Sequence, residues 1–216
     1  MSANITANLL ETGADELERY ALEECVKRNR FDQRVSALIL PDKRCETAIK
    51  FGRLGAQVVV AELPELQNDI EGRVLAAGLR DEISFAPCSL PDLPENPPGE
   101  PFDIIVIRRG LCGMPYDDAR RVVRQLLLKL KIGGKLYISV LGLHSELSEG
   151  YTTGELAIDQ RFGDLSPTLA EKYGIDHPVC LYTERNLFLL LLEAGASVLR
   201  TLTTTYGNVK GIAVRV

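Results

Sequence analysis

The feature that most constrains this chain is a series of short apolar runs, each of strand length and most followed by a stretch with helical spacing. "VSALIL" (Val35–Leu40) is one continuous run, and "AQVVVAEL" (Ala56–Leu63) is another. A strand with one wet face alternates polar and apolar residues. A strand covered on both faces does not, so these runs predict central strands of a mostly parallel sheet flanked by helices.

The segments between the runs agree. Leu17, Ala21, Leu22, Cys25 and Val26 recur at helical spacing and predict an opening amphipathic helix over Glu11–Asn29. A helix is expected from about Asp42 to Leu54, closed by Gly55, and another near Leu66–Ala77, ended by Gly78. "EISFA" reads as a short strand. Residues 87–101 carry six prolines, which exclude a helix or a central strand. "FDIIVIRR" is the next strand. "DDARRVVRQLLLKLKIGG" is a helix with Asp117 or Asp118 as N-cap and Gly133-Gly134 as its stop. "KLYISVLG" is a further strand. Leu143–Cys180 is a long polar connector. A helix capped by Thr183 follows, and then two consecutive strands, "SVLRTLTTTY" and "VKGIAVRV". There is no internal repeat.

Composition narrows the function classes. At 216 residues the chain suits one α/β domain, with 45% hydrophobic and 25% charged residues. A net charge of −5 argues against general nucleic-acid binding. No apolar run approaches the ~20 residues of a membrane helix. The first residues lack the basic and apolar regions of a signal peptide, so a cytoplasmic protein is expected. Five scattered cysteines without a CxxC, and only two histidines, argue against disulfides or a zinc site. No metal is expected.

An alternating α/β chain that ends in a helix and two consecutive strands must close on a hairpin. Together with "AAGLRDEISF", "FDIIVIRRGL", "VVRQLLLKLKIGGKLYIS" and "YTERNLFLLLLEAGASVLRTLTTTYGN", this order resembles the class I S-adenosylmethionine-dependent methyltransferases over Val35–Val216. The resemblance implies a Rossmann-like, seven-stranded sheet with an antiparallel last strand inserted beside the fifth. It also implies a helical extension over 1–34 and a lid or substrate connector over 143–182.

The resemblance assigns the cofactor positions as follows. The family's Gly-x-Gly-x-Gly loop falls on Pro41, Lys43 and Cys45, so the motif is missing; the acidic residue of the first strand falls on Ile39. Proline has no N–H and cannot take a positive φ. Glu62 matches the acidic residue that binds the ribose hydroxyls, with a salt bridge closing a vacant pocket as the alternative. Ser89, with Asp92 three residues on, falls where the family faces the adenine amine. Arg108 and Arg109 fall where the methionine end of S-adenosylmethionine meets substrate.

Lys43, Arg44, Arg108 and Arg109 all lie at carboxyl ends of neighbouring strands, the edge where open α/β sheets bind ligands. They form a candidate anion site near a helix N-terminus. The alternative is that they splay into water or pair with Asp42, Glu46 and Glu62. His144 is a candidate general base, and His177 reads as part of a turn. Tyr151, Asp159, Asp164 and Tyr182 belong to the connector. The cysteines read as small core residues, with Cys45 at a helix N-terminus where thiols acidify. Two readings follow from the resemblance. One is a methyltransferase with an atypical cofactor loop, acting on an unknown small molecule or protein. The other is a non-catalytic protein of the same fold, acting as a binding, assembly or regulatory subunit.

Overall fold

The computed structural model describes residues 15–30, 34–94 and 96–216. Its single sheet has seven strands in the order β3-β2-β1-β4-β5-β7-β6. The strands are β1 (Ser36–Leu40), β2 (Gln57–Glu62), β3 (Ile83–Pro87), β4 (Phe102–Arg108), β5 (Leu130–Val140), β6 (Ser197–Thr203) and β7 (Val209–Val214). The first five run parallel, and β7 is antiparallel to both β5 and β6. The order reverses between β1 and β4, so the chain has its switch point there, as the sequence predicts.

Alternate residues of the central strands feed two cores. On one face Ala37, Ile39, Val58, Val60, Ile104, Val106 and Tyr137 meet α1 (Glu16–Asn29), α2 (Glu46–Arg53) and α3 (Gln67–Ala76). On the other, Leu38, Leu40, Ile105, Ile107 and Ile138 meet α4 (Tyr116–Lys129), α6 (Glu184–Glu193) and the connector, which contains α5 (Pro167–Tyr173). Each Leu, Ile or Phe buried this way stabilises the fold by ~1.5–3 kcal/mol. Both layers are needed, which is why the strand sequences do not alternate.

Helix boundaries follow local chemistry. The expected opening helix begins at Glu16, with Asp15 as N-cap accepting from Glu18 N at 2.8 Å; its forecast first residues, 11–14, lie outside the described residues. Helix α2 starts four residues later than expected, because Pro41 offers no N–H and Cys45 takes a left-handed conformation with φ 58°. Asp42 instead receives Ala48 N from outside the helix at 2.9 Å.

Neither Asp117 nor Asp118 caps α4. Pro115 occupies that position, and the two acids sit in the first turn, where they pair with Arg120 and Arg121 at 2.8 Å. The helix ends at Lys129 rather than at the glycines, since buried Leu130 already pairs with Phe102. Thr183 caps α6 as predicted, in a reciprocal capping box with Asn186.

The connector is held by internal bonds. Buried Arg161 donates to Leu181 O (3.1 Å), Asn186 Oδ1 (2.9 Å) and Leu156 O (2.9 Å). Its last residues run beside β5, where Tyr182 N donates to Leu141 O at 2.9 Å. At that end Gly142 touches the β6–β7 turn so closely that a Cβ would lie 1.6 Å from Gly207 O. No helix among the described residues is long and apolar enough to cross a membrane.

Candidate functional site

The carboxyl edge at the β1/β4 switch point gathers loops after β1, β3 and β4, the amino end of α1 and the start of β7. Its rigid base is a row of side chains in register across three strands. Arg108 pairs with Ser139, and Ser139 with Lys210. All three face α1. This polar tier ends an otherwise apolar face.

Helix α1 meets the tier with carboxylates. Asp15 Oδ2 lies 3.0 Å from Arg108 Nη2 and 3.2 Å from Lys210 Nζ. Glu18 lies 3.7 Å from Arg108 Nη2, pairs with Lys50 and accepts from Thr47 Oγ1 at 3.0 Å. Glu18 is 2% exposed and Lys210 4%, so these contacts form in a low-dielectric interior. Burial alone would raise the Asp15 carboxyl, but the Arg108 charge, the Glu18 N–H and Lys210 outweigh it and hold it below the usual range.

Asp42, just beyond β1, goes the other way. Burial pushes its carboxyl up to about 6, only partly opposed by the Ala48 N–H and the Arg108 charge. Glu62 closes β2, is 7% exposed, and accepts from its neighbour Leu63 N at 3.0 Å. Its pKa is raised by burial, against the pull of that N–H and of Lys43. Perturbed acids of opposite sense thus meet at the edge where open α/β sheets take their ligands, which makes this edge the candidate site.

Backbone strain collects there too. Cys45 and Arg109, each with φ 58°, are two of the three non-glycine left-handed residues among those described. Such a conformation costs about 1–2 kcal/mol without glycine. Cys45 stands at the third glycine position of the family loop and takes a left-handed conformation there without being glycine. Nor does its thiol acidify: burial pushes it up to about 12. All five cysteines are free and buried.

The sequence-predicted residues divide among several partners. Arg108 turns to α1 rather than to Asp42, Glu46 or Glu62. Lys43 is exposed beside Glu62, and Arg44 reaches only Glu46, at 3.9 Å. Arg109 donates its backbone N–H to Ser139 O at 2.7 Å and opens a short helical turn. Ser89 and Asp92 are exposed and bridge each other in the loop after β3. His144 is exposed after β5. His177 is exposed next to Asp176, and its ring lies near Gly113, where a Cβ would come within 3.5 Å of Nε2. Within the connector, Tyr151 and Tyr182 are buried while Asp159 and Asp164 are exposed. Among the described residues no group of three or more His, Cys, Asp or Glu is arranged to hold a metal.

The crevice itself is narrow. Gly110, two residues past β4, is pressed by the other loops: a Cβ there would lie 2.7 Å from Leu90 Cδ1 and 3.2 Å from Pro41 Cδ. Loops after β1, β3 and β4 therefore touch.

Asp15, Glu18, Asp42 and Lys210 were not anticipated as site residues. Asp15 and Glu18 carry the Asp-x-x-Glu spacing of a helix N-terminus, a signal that could have placed the helix start. Nothing local announces that this end lands on Arg108.

No protein-family model matches the sequence, and no curated protein matches it. Solved structures do resemble the fold. An S-adenosylmethionine-dependent methyltransferase from Clostridium acetobutylicum aligns with a TM-score of 0.69 at 14% identity, over 98% of this chain and 96% of its own. PigF with SAH aligns at 0.61 and 14% identity, over 98% of this chain and 64% of its own. An O-methyltransferase family 2 protein from Planctomyces limnophilus, in complex with apigenin, aligns at 0.61 and 15% identity over 84% of this chain. This chain spans only 51% of that protein's length. In strand order, in the antiparallel β7 and in the switch point at β1/β4, the chain has the class I S-adenosylmethionine-dependent methyltransferase fold.

Proposed function

We propose that the chain is an S-adenosylmethionine-dependent methyltransferase-like protein whose ligand lies over the carboxyl ends of β1, β2 and β4. The observation that carries this reading is Glu62. Its carboxylate is buried at the end of β2, with Leu63 N as a neighbouring donor, and its pKa is raised because burial is incompletely compensated. Two ribose hydroxyls would supply the missing donors, as charge-assisted bonds of the stronger kind.

The residues fit the cofactor at this end. At the opposite end the Arg108 cation is balanced by Asp15 and Glu18. Gly110 lies close to Leu90 and Pro41, where any larger residue would crowd the loops that border this edge.

S-adenosylmethionine supplies an activated methyl group on a sulfonium. The chain's part is alignment and exclusion of water, which transfer of this kind chiefly needs. In this reading Ser89 and Asp92 are candidate adenine contacts, Arg109 a candidate at the substrate end and His144 a candidate base. Lys43 and Arg44 form an outer cationic rim suited to an anionic group. A cytoplasmic location is part of this reading.

Calorimetric titration with S-adenosylmethionine and S-adenosylhomocysteine tests the reading. Micromolar binding that Glu62→Ala weakens tenfold or more, about 1.4 kcal/mol, is expected. No heat at millimolar ligand, from protein shown to be folded and empty, overturns it in favour of a methyltransferase fold used for binding or assembly.

A further inference from the structure

The polar tier under α1 has a property that the fold does not require. A helix packed on a sheet is stabilised by its apolar stripe, and α1 has one in Leu17, Ala21 and Cys25. Yet its first turn also brings two carboxylates to Arg108 and Lys210 within the interior. Replacing buried ion pairs by apolar residues is often neutral or stabilising, so such pairs are weak evidence for a purely structural role.

Their place is informative. Arg108 ends β4 at the switch point, the edge where an open α/β sheet takes its ligand. Without a counter-charge, Arg108 and Lys210 would make that edge cationic. Unit charges a few ångströms apart interact far more strongly in a partly dry site than in water. A ligand bearing a fixed positive charge would then be repelled, and an uncharged analogue of the same shape would not.

We propose that Asp15 and Glu18 are positioning residues for a sulfonium ligand, acting through Arg108. They hold the guanidinium toward α1 and cancel its charge, and so allow the β1/β4 edge to accept a cationic sulfur. The inference rests on the cofactor reading above. It concerns discrimination between two ligands that differ by one methyl group and one charge: S-adenosylmethionine has a sulfonium, and S-adenosylhomocysteine a neutral thioether. The polar partners of this arrangement are Thr47 and Lys50 on α2, Ser139 on β5, Lys210 on β7 and Asp42 beyond β1. Lys50 pairs with Glu18, so three cations and three carboxyl groups share the cluster.

The test is the ratio of the two affinities, measured by calorimetry on the full chain and on Asp15→Asn and Arg108→Gln. Asparagine keeps the N-cap bond to Glu18 N while losing the charge. Asp15→Asn is expected to weaken S-adenosylmethionine about tenfold relative to S-adenosylhomocysteine. Arg108→Gln is expected to move the ratio in the opposite direction. General loosening of the helix would move both ligands together and cannot produce opposite shifts. Should Asp15→Asn fail to fold, Arg108→Gln alone still decides, because a ratio equal to that of the unaltered protein overturns the proposal. If both variants bind both ligands with an unchanged ratio, the cofactor reading stands and this inference falls. If the unaltered protein binds neither ligand, both fall.

Discussion

The two ends of α1 are anchored in opposite styles. At its carboxyl end, over the amino edge of the sheet, Asp103 is fully dressed. It pairs with Arg28 (3.3 Å) and Lys131 (2.8 Å) and accepts from Ser36 N (2.9 Å) and Ser36 Oγ (3.1 Å). Beside it Glu24 holds Arg28 and Lys135 at 2.8 and 2.7 Å. Burial would raise both carboxyls, but their partners prevail and both lie below the usual range. At its amino end, the acids diverge: Asp15 is held down and Asp42 is pushed up. One edge is a clasp whose acids are all satisfied. The other keeps an acid whose partners only partly offset its burial, next to two left-handed residues, and perturbed acids and strained backbone of this kind are what distinguish a candidate site from a structural anchor.

The largest effect is expected at the clasp. Asp103→Ala leaves Arg28 and Lys131 without their shared carboxylate and Ser36 N without its acceptor. Loss of one partner from a buried charged network should cost ~3 kcal/mol, read as a lower midpoint in urea. The depressed Asp103 and Glu24 also make this end acid-sensitive. Their contribution is present above their unfolded values and is lost as pH falls through the depressed ones. If Asp103→Ala costs less than ~1 kcal/mol, the clasp is not the stronger anchor and the contrast fails.

Asp42 should behave in the opposite sense. Burial pushes its folded carboxyl up to about 6 from an ordinary value of 3.8, so the folded chain holds the proton more tightly than the unfolded one. The stability this gives is full below about pH 4 and is lost as pH rises to about 6. Asp42→Asn keeps an oxygen for Ala48 N and removes the charge. The variant should therefore be more stable than the unaltered protein by about 3 kcal/mol at pH 7–8, with the gap closing toward pH 4. Urea midpoints across that range check it. A variant less stable at pH 8 would mean that ionised Asp42 is satisfied after all.

Why one anchor could be read from the sequence only in part is a matter of range. Val35–Leu40 and Phe102–Arg109 announce buried strands because burial on both faces removes polar residues from consecutive positions. Thr183 announces α6 because its bonds to Asn186 close within one turn, and Gly55 and Gly78 end helices by local conformation. Glu62 was legible as the acid at the end of β2 because its position follows from strand length alone. The partners of Arg108 were not. Asp15 and Glu18 reach it only after α1 has packed across the sheet, and an amphipathic stripe says which face is buried but not which end lands where. Lys210 was hidden for another reason. In "VKGIAVRV" a lysine reads as the wet side of an alternating strand, yet β7 lies between β5 and β6 and this lysine points under α1. The missing glycines of the first loop were plain, whereas the left-handed conformation of Cys45 was not, since cysteine does not favour it.

The smallest effect belongs to the outer rim of the same edge, and it sharpens the comparison within that edge. Arg44 and Arg108 both follow strands at the switch point, and both were candidates for one anion site. Arg108 is 3.0 Å from Asp15, with 14% of its side chain exposed; Arg44 is 3.9 Å from Glu46, with 65% exposed. Water already solvates a charge so exposed, and holding two long side chains together loses what the weak attraction gains. Arg44→Ala should thus change the urea midpoint by less than ~0.5 kcal/mol equivalent, with little response to salt. A loss above ~1 kcal/mol would mean that Arg44 belongs to the buried network rather than to the rim. If stability is unchanged while inorganic phosphate binding falls, the rim is a ligand-facing surface, and the division at this edge is between cations that hold α1 and cations that meet what arrives from solution.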